Sequence, residues 1–347
     1  MSIDPGAHIE SVHLTISNLD RSLRFYEDRI GLTVHRREGH DAAMGADGRD
    51  LLWLHESASA PRVRGTTGLY HFAILVPSRP DLAVALRHLS ETRTTFQGFA
   101  DHLVSEAIYL ADPDGNGIEI YRDRPRSEWP VVNGVLKMGS EPLDLKSLLA
   151  EASESWNGLA PDTRIGHVHL HVADLKDAEG FYRDGLGLDL VLRYGDSASF
   201  LSAGGYHHHV AINTWAGIGA PRPPAGAIGL DHVVIRVPSA RALSAVADEL
   251  QQAGILHSAG AENIRVSDPS GNSCGLSPDR RLRSLHHRQH VLSRQPARTQ
   301  ISNRRIAIRF AQFLRRRLHD QFVMREHGRL RAAEQAREAD LPARGLQ

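Results

Sequence analysis

Residues 12–32, VHLTISNLDRSLRFYEDRIGL, return at 168–188 as VHLHVADLKDAEGFYRDGLGL, an offset of 156. Val, His, Leu, Phe, Tyr, Asp and Gly recur in register. The stretch GLYHFAILVPS (68–78) returns as GLDHVVIRVPS (229–239), and Asp-Pro-Asp-Gly-Asn at 112–116 returns as Asp-Pro-Ser-Gly-Asn at 268–272. A repeat constrains the fold more than any single motif, because what one copy forms the other must also form. Residues 1–278 are therefore a tandem duplication.

Each copy divides again. Short β-type runs (Val12–Ile16, Tyr70–Val76, Gly166–Val172, Asp231–Val237) are each followed by a polar turn and a helical stretch. In the first, Asp20 is expected to cap a helix carrying Leu23, Phe25, Tyr26 and Ile30. Further strands are expected at Asp50–His55, Glu106–Leu110, Ile118–Tyr121, Ser199–Leu201 and Tyr206–Thr214. Asp-Pro-Asp-Gly-Asn is hairpin chemistry joining the last two strands of its unit. The fold class expected is α+β: four tandem βαβββ units forming paired curved mixed sheets. Residues 1–125 make a first domain, 126–164 a linker with a short helix near Leu143–Ala152, and 165–278 a second domain.

Charge marks a further boundary. Residues 1–278 hold 24 Lys and Arg against 35 Asp and Glu, whereas 279–347 hold 17 Arg, no Lys and 6 acids. This tail lies outside the repeat. Arg304–Leu318 reads as a basic, roughly amphipathic helix. Nucleic acid or an acidic membrane surface could take it, but a solvated or disordered appendage is the preferred reading, with no nucleic-acid partner expected. No apolar run approaches a membrane span, so no membrane partner is expected. The start lacks a secretory pattern and Cys274 is the single cysteine, which together suit a cytoplasmic protein.

The four units differ where metal-binding groups can stand. The first strands offer His71, His167 and His232, with Ser11 at the position matching His167. After the Asp-Pro turn the second unit offers Glu119, and the fourth has Gly275 at the same offset of 156. The first copy thus has His71 and Glu119, while the second supplies His167. Setting unit two against unit three gives a two-His, one-carboxylate face with open positions. The plainer readings are packed strand histidines and a Glu119 facing solvent. His13, His169 and His171 share strands with these positions and are expected to line the cavity. His232, lacking a carboxylate partner, reads as vestigial or structural.

Residues 204–213, Gly-Gly-Tyr-His-His-His-Val-Ala-Ile-Asn, place three histidines together. In an extended strand His208 would face one way and His207 and His209 the other.

The sequences GLYHFAILVPSRPDL, DHLVSEAIYLADPDGNGIEIY and DRPRSEWP in the first copy, with IGHVHLHVADL and SAGGYHHHVAINTW in the second, resemble the vicinal oxygen chelate superfamily. The resemblance covers about residues 1–277 and is closest to the bacterial catechol 2,3-dioxygenases of the extradiol class. It implies Fe(II), or Mn(II), held by His71, His167 and Glu119. It implies His208 as acid–base residue, with His102 and Tyr109 positioning substrate. The His102–Tyr109 spacing is two residues shorter than in the best-known members, and the unit order is permuted. The partners implied are a small aromatic diol and O2, and the product is of the 2-hydroxymuconic semialdehyde type. A homo-oligomer is expected. Rivals are a glyoxalase-like isomerase or lyase, which would commonly use a fourth ligand, and a non-enzymatic binding protein of the same fold. Because the resemblance stops almost where the tail begins, the last strand of unit four is expected to close imperfectly.

Overall fold

The computed structural model describes residues 2–260 and 262–279, so all of the basic tail beyond Asp279 lies outside the described residues. Unit one runs β1 (His8–Ile16), α1 (Leu19–Phe25) ending in a π-turn, β2 (Thr33–Glu38), β3 (Asp41–Ala46) and β4 (Arg49–Glu56). Unit two runs β5 (Gly68–Leu75), α2 (Arg79–Glu91), β6 (Phe96–Asp101), β7 (Ser105–Ala111) and β8 (Gly117–Asp123). The connector carries β9 (Val131–Val132), β10 (Val135–Leu136) and α3 (Leu145–Ala150). Unit three runs β11 (Arg164–His171), α4 (Leu175–Gly180), β12 (Asp189–Tyr194), β13 (Ala198–Ser202) and β14 (Val210–Asn213). Unit four runs β15 (Gly229–Val237), α5 (Ala240–Gln252), β16 (His257–Ala259), β17 (Ile264–Ser267) and β18 (Ser273–Pro278).

These strands form two eight-stranded sheets. The outer sheet has the order β16-β17-β18-β15-β1-β4-β3-β2, and the inner sheet β12-β13-β14-β11-β5-β8-β7-β6. Each sheet joins one unit from each copy: unit one with unit four, and unit two with unit three. At each centre the two first strands run antiparallel, β1 with β15 and β5 with β11. Each first strand also pairs in parallel with the last strand of its own unit.

Alternation explains which face is buried. On β5, Phe72 and Ile74 join the main apolar core, while His71 and Ala73 point to the other side. The main core holds residues from all four units, among them Leu14, Ile74, Leu170 and Ile235. Helix α2 contributes Leu82, Leu86 and Leu89 to it and α5 contributes Leu243, Val246 and Leu250. Burying each such side chain stabilises the fold by about 1.5–3 kcal/mol.

Each unit's long helix begins the same way: Asn18, Ser78, Asp174 and Ser239 each accept a hydrogen bond from the N–H three residues on. Asn18, not Asp20, is therefore the first cap. Its backbone is extended, as a cap requires, whereas Asp20 already lies inside the first turn. The Asp-Pro turns close as expected: Asp112 Oδ1 accepts from the N–H groups of Asp114 and Asn116, and Asp268 Oδ1 from those of Ser270 and Asn272. Tyr26 and Tyr182, 156 apart, donate to the other oxygens of Asp112 and Asp268 at 3.0 and 3.1 Å, tying each copy's two units together.

Two further expectations need correction. Strand β18 pairs with β15 on one side and β17 on the other, so unit four has its full last strand. The strand expected over Tyr206–Thr214 shortens to Val210–Asn213. Gly204 holds the left-handed φ of +61°, and a Cβ there would meet the Pro5 carbonyl oxygen at 2.3 Å. The three histidines consequently leave β14 in a turn, and strand parity does not govern them.

Candidate metal centre

His71 on β5 and Glu119 on β8 reach the concave face of the inner sheet from adjacent parallel strands, with Ala73 opposite Glu119. His167 comes from β11, where it pairs with Ala73 across the antiparallel seam. Glu119 Oε2 lies 3.0 Å from His71 Nε2 and 3.1 Å from His167 Nε2. All three side chains are buried, and among the described residues they form the single group of histidine, cysteine or acidic side chains whose donor atoms lie within 4.8 Å of one another.

The residues fit a divalent cation. One carboxylate oxygen serves both imidazoles, yet the His71 ring is not aligned to donate, leaving its Nε2 without a hydrogen bond. Nδ1 of His167 is likewise buried without a partner. A buried carboxylate is costly without a charge partner, and a cation shared by the three donors would supply one. Burial opposes ionisation of Glu119, but His167 and His71 outweigh it and hold the carboxyl well below its usual range. Burial pulls His167 down to about 4 although Glu119 opposes this, so its imidazole is neutral at pH 7 and able to ligate.

The remaining residues read from the sequence lie around this centre. The His208 ring is 4.0 Å from that of His167 and 5.1 Å from Phe200. Burial, with His167 and His207 nearby, pushes its pKa well below the ordinary value. Tyr109 stands directly opposite Glu119 in the β7–β8 ladder, with its ring 5.6 Å from that of His71. Burial and the charge of Glu119 raise its pKa. His102 Nδ1 lies 2.7 Å from the Gly139 carbonyl, which can only accept. A neutral His102 therefore has a bare Nε2, which takes the Tyr109 hydroxyl proton at 2.6 Å. His169 is buried beside His71, and its Nε2 has no hydrogen-bond partner. His171 bonds Asn213 at 2.8 Å.

His207 corrects the strand-parity reading. It does not turn away from His208 but bonds it Nδ1 to Nδ1 at 2.7 Å, and its Nε2 reaches Asp123 Oδ1 at 2.9 Å. His209 instead holds the Ala203 N–H at 3.1 Å. Sequence reasoning passed over Asp123, Tyr121, Phe200 and Trp215. The signal for Tyr121 and Asp123 was present, since they share strand parity with Glu119.

The outer sheet repeats the framework without the ligands. His13 and His232 pair across β1 and β15 with rings stacked at 3.9 Å. Ser11 and Gly275 occupy the positions of His167 and Glu119, and Arg265 Nη2 approaches His232 Nε2 at 3.2 Å. A guanidinium there takes the place a cation would need.

Paired βαβββ sheets, one carrying a three-donor centre in its concave face, define a metal-binding class of protein. The chain belongs to the Glyoxalase/Bleomycin resistance protein/Dioxygenase superfamily, whose model matches residues 7–120 and 164–274. It is 48% identical over 274 residues to a catechol-2,3-dioxygenase of Bacillus subtilis (strain 168), covering 77% of this chain and 96% of that protein. A crystal structure of a candidate dioxygenase from Bacillus subtilis subsp. subtilis str. 168 shares the fold, with a TM-score of 0.57, 14% identity and coverage of 81% and 87% of the two chains. Glyoxalase I from Zea mays matches with a TM-score of 0.49 and 14% identity over 79% and 92%.

Proposed function

We propose that the protein is an extradiol ring-cleaving dioxygenase that opens a catechol beside its vicinal hydroxyls, giving a 2-hydroxymuconic semialdehyde-type product. The observation that carries this is the three-donor centre with an empty fourth position. Ala211 pairs with His169 as Glu119 pairs with Ala73, so the place of a second carboxylate holds a methyl group. A glyoxalase-like isomerase would commonly use a ligand there; a diol and O2 need the space.

His71, Glu119 and His167 hold Fe(II) in this reading, with Mn(II) fitting the same donors. A metal held there would supply open coordination positions for a diol and O2 and a route for electrons between them. The chain does the rest. His208, facing the centre with a free Nε2, takes the proton of a catechol hydroxyl and returns it during ring opening. Tyr109, whose hydroxyl proton goes to His102, accepts a hydrogen bond from a catechol hydroxyl and positions the ring. Phe200, beside His208, and His169, beside His71, wall the ring. The enzyme acts in the cytoplasm as a homo-oligomer on a small aromatic diol; among the described residues, no helix is long and apolar enough to cross a membrane.

The test is to load the full chain anaerobically with Fe(II), add catechols and admit air. Oxygen uptake with a yellow ring-opened product is expected. Iron bound in stoichiometric amount with no uptake on any catechol would defeat the reading.

A further inference from the structure

The His207–Asp123 pair lies beside His208, with the His207 ring 6.1 Å from that of His167, yet neither residue bonds a ligand side chain. Asp123 closes β8 in the first copy, and His207 belongs to the turn before β14 in the second. We propose that Asp123 and His207 are positioning residues that lock His208 in the one tautomer able to act as a base, Nδ1 protonated and Nε2 bare. The proposal rests on the dioxygenase reading for its effect on rate, but not for the tautomer itself.

The donor assignments follow one after another. A carboxylate only accepts, so His207 Nε2 carries the hydrogen in its 2.9 Å bond to Asp123. A neutral His207 then has a bare Nδ1. The 2.7 Å bond between the two Nδ1 atoms therefore takes its hydrogen from His208. That leaves the lone pair of His208 on Nε2. The opposite tautomer would place two lone pairs against each other at 2.7 Å.

The chain of bonds is held at its far end. The Tyr206 hydroxyl donates to Asp123 Oδ2 at 3.0 Å and accepts from the Tyr121 hydroxyl at 2.7 Å. Arg126 bonds the Gly204 carbonyl, and the Trp129 ring stands 5.4 Å from that of His207, so the connector braces the turn. His207 is fully buried, which leaves water no access to compete for either of its nitrogens. When His208 Nε2 accepts a substrate proton, its Nδ1–H can move toward His207 Nδ1 while the His207 Nε2–H stays on the carboxylate. One proton enters, none is lost, and the positive charge settles beside Asp123.

Two measurements on the full chain test this. The first is 15N NMR of the histidine rings with zinc in place of iron, which keeps the lines narrow. His208 is expected with Nδ1 protonated in the parent. In Asp123→Asn its tautomers are expected to mix, because an amide can turn either its oxygen or its NH2 toward His207. A parent His208 with Nε2 protonated, or an unchanged spectrum in Asp123→Asn, would overturn the proposal. The second is steady-state ring cleavage by the iron-loaded variants. Asp123→Asn is expected to lower kcat about 10²-fold with KM within twofold and iron content unchanged, and Asp123→Glu to recover most of it. A variant raising KM alone would count against a role through His208. Should Asp123→Asn fail to fold, His207→Phe and His207→Asn carry the same comparison, since only Asn keeps an acceptor for the Nδ1–H. A parent inactive on every catechol would remove the dioxygenase reading while the tautomer result still decides the lock.

Discussion

The two sheets are built from the same repeat, yet one gathers metal donors and the other disperses them. Four equivalent positions tell them apart: His71, Glu119, His167 and Ala211 in the inner sheet, and His232, Gly275, Ser11 and Trp53 in the outer. Three donors and one gap make a centre that is complete yet open. One donor, no carboxylate and a bulky indole make a packed surface. Trp53 and His13 lie nearly parallel with centroids 5.5 Å apart, Arg36 caps the indole at 4.9 Å and Arg265 meets His232. The outer sheet has exchanged ligation for stacking. Framework and chemistry are thus separable: ladder, caps and Asp-Pro turns persist in both sheets, and four side chains decide what each can do.

The strongest way to break the comparison is to remove the inner carboxylate. Glu119→Gln should cost metal binding and lower ring cleavage more than about 10³-fold, read by metal content and oxygen uptake, because two neutral imidazoles cannot balance the ion. The converse change, Gly275→Glu, should bind no metal by the same assay, since Ser11 offers no imidazole and Arg265 already faces His232. Next comes His208→Gln, expected to lower kcat by roughly 10²–10⁴-fold with iron retained.

The stacked pair of the outer sheet predicts an acid sensitivity. Burial, then His232, lowers His13 to about 3 against Asp231, which opposes. Between pH 6.5 and 3 the unfolded chain takes up a proton that folded His13 refuses. Stability is therefore fully present above pH 6.5 and declines as pH falls through this window, by roughly 1 kcal/mol per unit. His13→Phe should flatten that slope in urea unfolding measured from pH 7 to 4.5. The smallest effect is the most symmetrical: Tyr26→Phe and Tyr182→Phe should each cost about 1–2 kcal/mol, because each leaves a buried carboxylate one donor short. Unequal losses would show that the two copies do not share this tie on equal terms.

Much of this was legible in the chain. The offset of 156, with Ser11 matching His167 and Gly275 matching Glu119, was enough to set unit two against unit three, and the structure brings His71, Glu119 and His167 together. Part of what escaped had no local signal. Strand β2, Thr33–Glu38, is polar and largely exposed, so alternation does not mark it. The histidine turn depends on a left-handed Gly204 and on Asp123, which stands 84 residues before His207. Periodicity within a ten-residue window cannot report a partner that distant. Asn18 was passed over for Asp20 because both residue types cap well, and the choice falls to where the backbone first becomes helical.

The pairing of units one and four around units two and three also sets an order of assembly. The strands of the inner sheet lie within residues 68–213, whereas the outer sheet must join β1 to β15 across some two hundred intervening residues. Loop closure favours the shorter span, and synthesis delivers it first. Unit one, made before its partner unit four, is therefore expected to pair after the inner sheet has formed, leaving the seam edge of β1 unpaired until then. Cuts or insertions near residues 56–68 or 213–229 would separate a finished inner sheet from an unfinished outer one, and a sheet with a bare seam edge is the part prone to pair with a second chain.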